Sequence, residues 1–347
     1  MRILIVTDAW APQVNGVVRT LQATRDALQQ MGHVVGLIAP DLFRSLPCPT
    51  YPEIRLALAG AAAIGRRIEA FAPEAIHIAT EGPLGLAARR WCLRRGHPFT
   101  TAYHTQFPDY LARRTRLPAA AFWPFIRRFH RPAAAILVST RAVAVQLDRQ
   151  GLGQTRLWSR GVDLSCFGPD APVHPRLQRL PGPILLHVGR LAVEKNVEAF
   201  LRARHAGSKI VVGDGPLLAA LKCKYPDVAF LGARQGAELA SLYASADALV
   251  FPSRTDTFGL GMIEALACGT PIAAFPVPGP ADVLDESVGA MREDLDDAIA
   301  AALTRDRAAC AAFGRRFSWS ASAGQFVSAL VPLKAGADFR PGLAATA

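Results

Sequence analysis

Residues 251–275, FPSRTDTFGLGMIEALACGTPIAAF, decide the fold. The apolar run Ala248 to Phe251 reads as the end of a buried strand, a polar loop follows, and a helix is predicted to open at Phe258-Gly259. Ile263, Leu266 and Ala267 recur at helical spacing, Gly269 and Pro271 end the helix, and Pro271 to Ala274 reads as a second strand. Short apolar strands alternating with helices mark a parallel sheet, whose ligands bind at the carboxyl ends of the strands. Two acids stand there, Asp256 in the loop and Glu264 one and a half turns into the helix, with seven residues between them. Glycines at 259 and 261 let backbone N–H groups of the opening turn approach a phosphate closely. One segment thus offers an anion cradle and two acceptors for hydroxyl groups, the requirements of a sugar nucleotide.

A chain of 347 residues, 51% of them hydrophobic, is long enough for two cores, so two domains are expected. No apolar run reaches the length of a membrane span, and Met1 leads straight into a predicted strand without a signal peptide, so export is not expected. Six scattered cysteines without a Cys-x-x-Cys pair argue against a zinc site and a disulfide framework, and read as reduced cytosolic thiols. The net charge of +11 lies entirely in the first half: residues 1–159 carry 20 Lys and Arg against 9 Asp and Glu, and residues 160–347 carry 19 of each. A basic half suits an acidic partner, whether nucleic acid, an anionic membrane or a phosphorylated substrate; a solvated arginine-rich surface is the plain alternative.

The first half begins as a βαβ unit: strand Arg2 to Thr7, helix Val17 to Met31 closed by Gly32, strand Val34 to Ala39. Its loop, residues 8–16, is longer than packing needs and ends Asn15-Gly16, where backbone could approach a ligand; Gly16 alone reads equally well as a plain turn glycine. The loop lacks Gly-x-Gly-x-x-Gly, which disfavours a dinucleotide site. Strands Ala75 to Ile78 and Phe99 to Tyr103 follow, and His104 falls at the carboxyl end of the latter, on the edge where active sites form. Residues 110–131, YLARRTRLPAAAFWPFIRRFHR, place Arg113, Arg114, Arg116, Arg127, Arg128 and Arg131 among Phe122, Trp123, Phe125 and Phe129. Arginines interleaved with aromatic rings suit a membrane interface, where each cation contributes about 1 kcal/mol; a packed helix with a basic outer face is the alternative.

Residues 168–183 carry five prolines and read as a linker. A second alternating set starts at strand Ile184 to Val188, after which Arg190 and Lys195 flank a loop at a strand's carboxyl end. Paired cations beside a helix N-terminus neutralise a diphosphate. The turn Gly213-Asp214-Gly215-Pro216 reads as scaffold, with Pro216 at the first helical position. Asp294-Leu295-Asp296-Asp297 looks like a metal-binding motif but lies in a polar helix away from any strand end, so it reads as surface charge. The Gly- and Ala-rich tail beyond Leu333 is expected to be disordered.

Six pieces in order, Asn15-Gly16-Val17, His104, Arg160-Gly161-Val162-Asp163, Gly189-Arg190 with Glu194-Lys195, Gly213-Asp214-Gly215-Pro216 and the 251–275 stretch, resemble the family-4 retaining glycosyltransferases over nearly the whole chain. The family's Glu-x7-Glu motif stands here with Asp256 in its first position. The resemblance implies an α/β GT-B fold, two Rossmann-like domains with parallel sheets facing across a cleft. It divides the chain into an acceptor and membrane-facing domain at 1–160, a linker at 161–183, a nucleotide-sugar domain at 184–316, a helix at 317–332 returning to the first domain, and a tail at 333–347. By the same resemblance Glu264 would bind the ribose hydroxyls, Asp256 a hydroxyl of the donor sugar, and Arg190 and Lys195 the diphosphate. Gly16 and the Phe258-Gly259-Leu260 backbone would assist, and His104 would contact the donor sugar near the reacting centre.

The loop Thr7 to Thr20 is most similar to the branch acting on lipids, including diacylglycerol, sulfoquinovosyl and mannosyl transferases. The resemblance therefore implies transfer of a hexose from a nucleotide sugar, UDP-glucose in type, to diacylglycerol, without metal or other cofactor. Its setting would be the cytoplasm, peripherally on the anionic inner face of the cell membrane. A GDP-mannose-dependent α-mannosyltransferase is the alternative, with a nonhydrolysing sugar-nucleotide epimerase behind it. A sugar-binding protein would ordinarily carry an export signal, and a nucleic-acid partner is not expected, because the arginines fit no reading motif.

Overall fold

The computed structural model describes residues 1–13, 15–48, 51–104, 108, 112, 115, 117–256 and 258–333, the side chains of 48 and 51–54 excepted. The chain forms two compact units, one of residues 1–159 together with the chain from Ser320 onward, the other of residues 160–319. The first is built on β1 (Arg2–Val6), β2 (Val34–Ile38), β5 (Ala75–Ile78), β6 (Thr100–Tyr103), β7 (Ala135–Val138) and β8 (Thr155–Leu157). These pair in the order β2-β1-β5-β6-β7-β8, all parallel. Strands β5, β6 and β7 are buried throughout, which is why none of them alternates between apolar and charged residues. An antiparallel hairpin of β3 (Ser45–Cys48) and β4 (Tyr51–Ala57) stands apart from this sheet and was not foreseen from the sequence.

The order reverses between β1 and β5, and that switch point is occupied by the protein itself. Asp8, just past β1, is 7% exposed. Its carboxylate accepts from Leu84 N at 2.9 Å, Gly85 N at 3.2 Å and Thr80 Oγ1 at 2.9 Å, covering the start of helix Pro83–Arg95. Pro83 has no N–H and Leu86 N bonds Gly82 O, so the N–H groups of residues 83–86 are not open to another anion. Burial pushes the Asp8 carboxyl above its usual range, against the opposing pull of those hydrogen bonds. The last helix, Trp319–Ala329, completes this unit: Phe326 is fully buried with ring contacts to Trp158 and His77, and Trp158 Nε1 donates to Ser322 Oγ at 3.1 Å.

The second unit carries β9 (Ile184–Val188), β10 (Ser208–Val212), β11 (Ala229–Gly232), β12 (Ala248–Phe251), β13 (Ile272–Ala274) and β14 (Gly289–Met291). They pair in the parallel order β11-β10-β9-β12-β13-β14, which is the doubly wound order with its switch between β9 and β12. Alternate residues feed two cores: Leu186, Leu249 and Ile272 pack with Met262, Ile263 and Leu266, while Leu185, Val211 and Ala273 pack with Phe200 and Ile299. The segment 161–183, expected as a linker, puts Val162, Phe167 and Leu177 into the first of these cores. Asp294 caps helix Leu295–Ala302, accepting from Asp296 N and Asp297 N, a local role for that acidic run. Among the described residues no helix is long and apolar enough to cross a membrane.

Candidate functional site

At the switch point of the second unit two loops leave the carboxyl ends of neighbouring strands. The first, after β9, runs Gly189-Arg190-Leu191 and is held against β10 by Gly189 N to Val212 O and Leu191 N to Asp214 O. Gly213 and Gly215 have φ of +143° and +154°, and a Cβ on either would overlap the Gly189 or Leu191 carbonyl oxygen. The Gly-Asp-Gly turn, read from sequence as scaffold, is thus what lets the Arg190 loop lie flat against its neighbour. A 3₁₀ turn at Val193–Lys195 follows, and then Asn196 at φ +53°, a conformation asparagine tolerates. The helix that follows is Val197–Arg202.

The second loop follows β12 and is stitched to the first. Asn196 Nδ2 donates to Pro252 O at 3.1 Å, and Ser253 and Thr255 hydroxyls donate to Glu194 O, each at 3.4 Å. Lys195 Nζ lies 2.6 Å from Asp256 Oδ1. The structure therefore pairs two residues that the sequence reading had sent to different parts of a ligand. The other carboxylate oxygen, Oδ2, is buried with no hydrogen-bond partner among the described residues. The backbone of Gly279 lies so close to the Asp256 carbonyl that a Cβ there would overlap it.

Phe258 is buried, and Gly259 at φ +89° starts helix Leu260–Ala267 without any side-chain cap. A Cβ at 259 would come within 2.8 Å of Phe251 Cζ and 2.9 Å of Met262 Cε, so only glycine brings the backbone into the helix here. The uncapped N–H groups and the macrodipole of this turn attract an anion. Glu264 is 3% exposed, and its Oε2 accepts from Tyr243 Oη at 3.2 Å. Tyr243, fully buried on helix Gly236–Ser245, was missed by the sequence reading; an isolated tyrosine in AELASLYAS carries no signal of a partner 21 residues away. Arg190 is exposed. The second unit thus collects Arg190, Lys195, Asp256, Phe258, Gly259, Leu260 and Glu264 on the loops and helix of one switch point.

The remaining expected residues lie in the first unit. Gly16 opens helix Gly16–Gln30, whose cap is Asn15, accepting from Val17 N and Val18 N. His104 follows β6, half-buried beside Trp158 with ring centroids 5.5 Å apart. Trp123 corrects one reading: it was expected on a membrane-facing patch but is buried and stacks on Tyr103, because Trp123, Ile126 and Phe129 form the inner stripe of helix Trp123–His130. Arg127 and Arg128 are on its exposed side, and Arg113, Arg114 and Arg116 lie outside the described residues. His130 was not singled out from sequence; it is fully buried with Nδ1 2.9 Å from Thr101 Oγ1 and Nε2 3.2 Å from Glu81 Oε1.

Family models agree with this architecture. Residues 14–165 match the model described as Glycosyltransferase Family 4, and residues 182–305 match Glycosyl transferases group 1. A GDP-mannose-dependent alpha-mannosyltransferase of Mycobacterium tuberculosis is 32% identical over 330 residues, covering 86% of this chain and 87% of that protein. An alpha-monoglucosyldiacylglycerol synthase of Streptococcus pneumoniae is 28% identical, covering 87% of this chain and 78% of the relative. Among solved structures, a sucrose-phosphate synthase from Thermosynechococcus elongatus superposes with a TM-score of 0.74 at 23% identity, covering 94% of this chain and 97% of that one. Two parallel-sheet α/β units of this kind make the GT-B fold, and the two family models make the chain a glycosyltransferase. Within that class, the chain belongs to glycosyltransferase family 4.

Proposed function

We propose that this glycosyltransferase moves a hexose, with retention at the anomeric carbon and without a metal, from a nucleoside-diphosphate sugar to a lipid acceptor of the diacylglycerol type. The observation that carries the donor half is the second unit's switch point. Arg190 and Lys195 leave one strand end, while Asp256, the uncapped turn at Gly259 and buried Glu264 follow the next. In this reading Lys195, Arg190 and the backbone at Phe258-Gly259-Leu260 hold the diphosphate, Glu264 takes the ribose hydroxyls and Asp256 a hydroxyl of the sugar. As the bond from the anomeric carbon to the diphosphate oxygen breaks, negative charge builds on the leaving group, and fixed cations with a helix N-terminus stabilise it. Gly16 is proposed to offer backbone to the donor phosphates and His104 to contact the transferred sugar.

The acceptor half rests on the likeness to the diacylglycerol enzyme and on the first unit's basic surface. Arg89, Arg127, Arg128 and Arg131 line a hollow of about 930 Å³ with Pro124, Pro132 and residues 150–152, and among the described residues no carboxylate lines it. The helix-end carbonyls are already served: Arg89 donates to Arg128 O and Phe129 O, and Gln154 to His130 O and Arg131 O. The other arginines are therefore not needed as caps, and with Phe125 exposed beside them they suit an anionic membrane surface at the cytoplasmic face. A second reading, GDP-mannose as donor, is favoured by the mannosyltransferase relative. Release of UDP or GDP from a panel of UDP-hexoses and GDP-mannose, with and without vesicles of diacylglycerol and an anionic phospholipid, tests both. The lipid reading predicts turnover only with vesicles; transfer to soluble sugars alone, without vesicle binding, overturns it.

A further inference from the structure

Strand β9 reads ILLHV, and its histidine is out of character with a strand buried on both faces. His187 is 2% exposed. Burying an imidazole among Phe200, Leu185 and Val211 is unfavourable unless it makes a hydrogen bond that matters there. Its bond is informative. The pairing of β9 with β12 extends only over Ala248↔Leu185 and Leu249↔Leu186. On its other side β9 stays paired with β10 as far as Val188, and β12 stays paired with β13 as far as Phe251. The sheet therefore opens between β9 and β12 alone, at the switch point, beyond Leu186 and Leu249. Across that opening His187 Nδ1 donates to Val250 O at 3.2 Å.

The ring's other edge faces the loop that leaves β9. Nε2 lies 3.5 Å from the position a Cβ at 189 would take, and it is buried with no hydrogen-bond partner among the described residues. The imidazole is thus held by its one bond across the gap. Burial keeps it neutral, pushing its pKa down to about 4.

We infer that His187 is a positioning residue: it fixes how far the carboxyl ends of β9 and β12 stand apart, and so the spacing of the loops that carry Arg190, Lys195 and Asp256. The inference rests on the proposed donor site for its functional consequence, but its structural content does not. A wider or narrower gap changes the distance between the cations and Asp256, and it strains the bonds that Asn196, Ser253 and Thr255 make between the loops.

Three substitutions separate this role from packing. In His187→Asn the amide nitrogen takes the place of Nδ1; His187→Gln extends past it, and His187→Phe keeps the ring and loses the donor. Backbone hydrogen exchange over 189–196 and 252–256 is the first readout, and KM for the nucleotide sugar against kcat is the second. Faster loop exchange, with KM raised at least about tenfold and kcat within about threefold, is expected for Phe and Gln, and near-native values for Asn. Unchanged loop exchange in His187→Phe overturns the inference, as does an Asn variant no better than Gln. If the Phe variant does not fold, the Asn and Gln pair decides the matter. Faster loop exchange in a protein whose native form binds neither UDP nor GDP would sustain the positioning role and refute the donor reading instead.

Discussion

Replacing Asp256 by asparagine should tighten the binding of a bare nucleoside diphosphate while it cripples transfer. Lys195 Nζ is 2.6 Å from Asp256 Oδ1, so a diphosphate that recruits this lysine competes with that carboxylate. Two unit charges at that distance in a water-like medium attract by about 1.6 kcal/mol. The side chains are 28% and 21% exposed, and asparagine can still accept from Lys195, so screening and the residual hydrogen bond leave a difference of about 1 kcal/mol. That corresponds to about a fivefold lower Kd for UDP or GDP, whichever the native protein binds. The complete nucleotide sugar gains nothing, because the hydroxyl that Asp256 should accept loses its charged partner, at a cost of about 1–3 kcal/mol. Isothermal titration with nucleoside diphosphate and nucleotide sugar in parallel, together with steady-state turnover, measures the three quantities. If UDP and GDP bind Asp256→Asn more weakly than native protein, Lys195 is not held back by Asp256 and the reasoning is wrong.

Removing the hydroxyl from Tyr243 takes one hydrogen bond from the Glu264 carboxylate, so Tyr243→Phe is expected to raise the donor KM about fivefold with little change in kcat, measured by initial rates. Gly259→Ala forces a left-handed φ on alanine and presses on Phe251 and Met262, and should destabilise the protein by about 1–3 kcal/mol, read from chemical denaturation. Burial holds the folded pKa of His77 at about 3 and of His187 at about 4, both below the 6.5 of a free imidazole. Their contribution to stability is therefore complete above about pH 6.5 and is lost as the pH falls below it, since the unfolded chain takes up the protons first. Denaturant midpoints should decline through this acidic window, and His77→Gln should flatten the decline.

What could be read from the residues and what could not divide along a physical line. Strand β12, helix Leu260–Ala267 and strand β13 are local in sequence, and their apolar runs, spacing and glycine breaks foretold them. The pairing of Lys195 with Asp256 joins residues 61 apart, which no spacing rule reaches. Trp123 misled because an arginine-aromatic string reads alike whether its rings face a membrane or the protein core, and only the helix register, with Trp123, Ile126 and Phe129 inward, separates the two. In the 161–183 segment the prolines speak for a linker, while Phe167 before them and Leu177 among them are single apolar residues whose hold on the core shows only in the fold. Tyr243 and His187 lie in apolar segments where a single polar atom matters only once its partner is known. The Gly-Asp-Gly turn was visible, but its purpose depends on a carbonyl 24 residues earlier.

Asp8 has a consequence for stoichiometry. A chain with two parallel-sheet units has two switch points, and a helix start beside a switch point is ordinarily a socket for phosphate. In the first unit the socket is filled from within: an aspartate contributes the negative charge, and its two oxygens take the N–H groups of Leu84 and Gly85. Gly82 has no side chain because one would strike that carboxylate. The repeat of the architecture is therefore not a repeat of the ligand. Titration with nucleoside diphosphate should saturate at one equivalent per chain, leaving the first unit without a competing phosphate socket at the start of Pro83–Arg95.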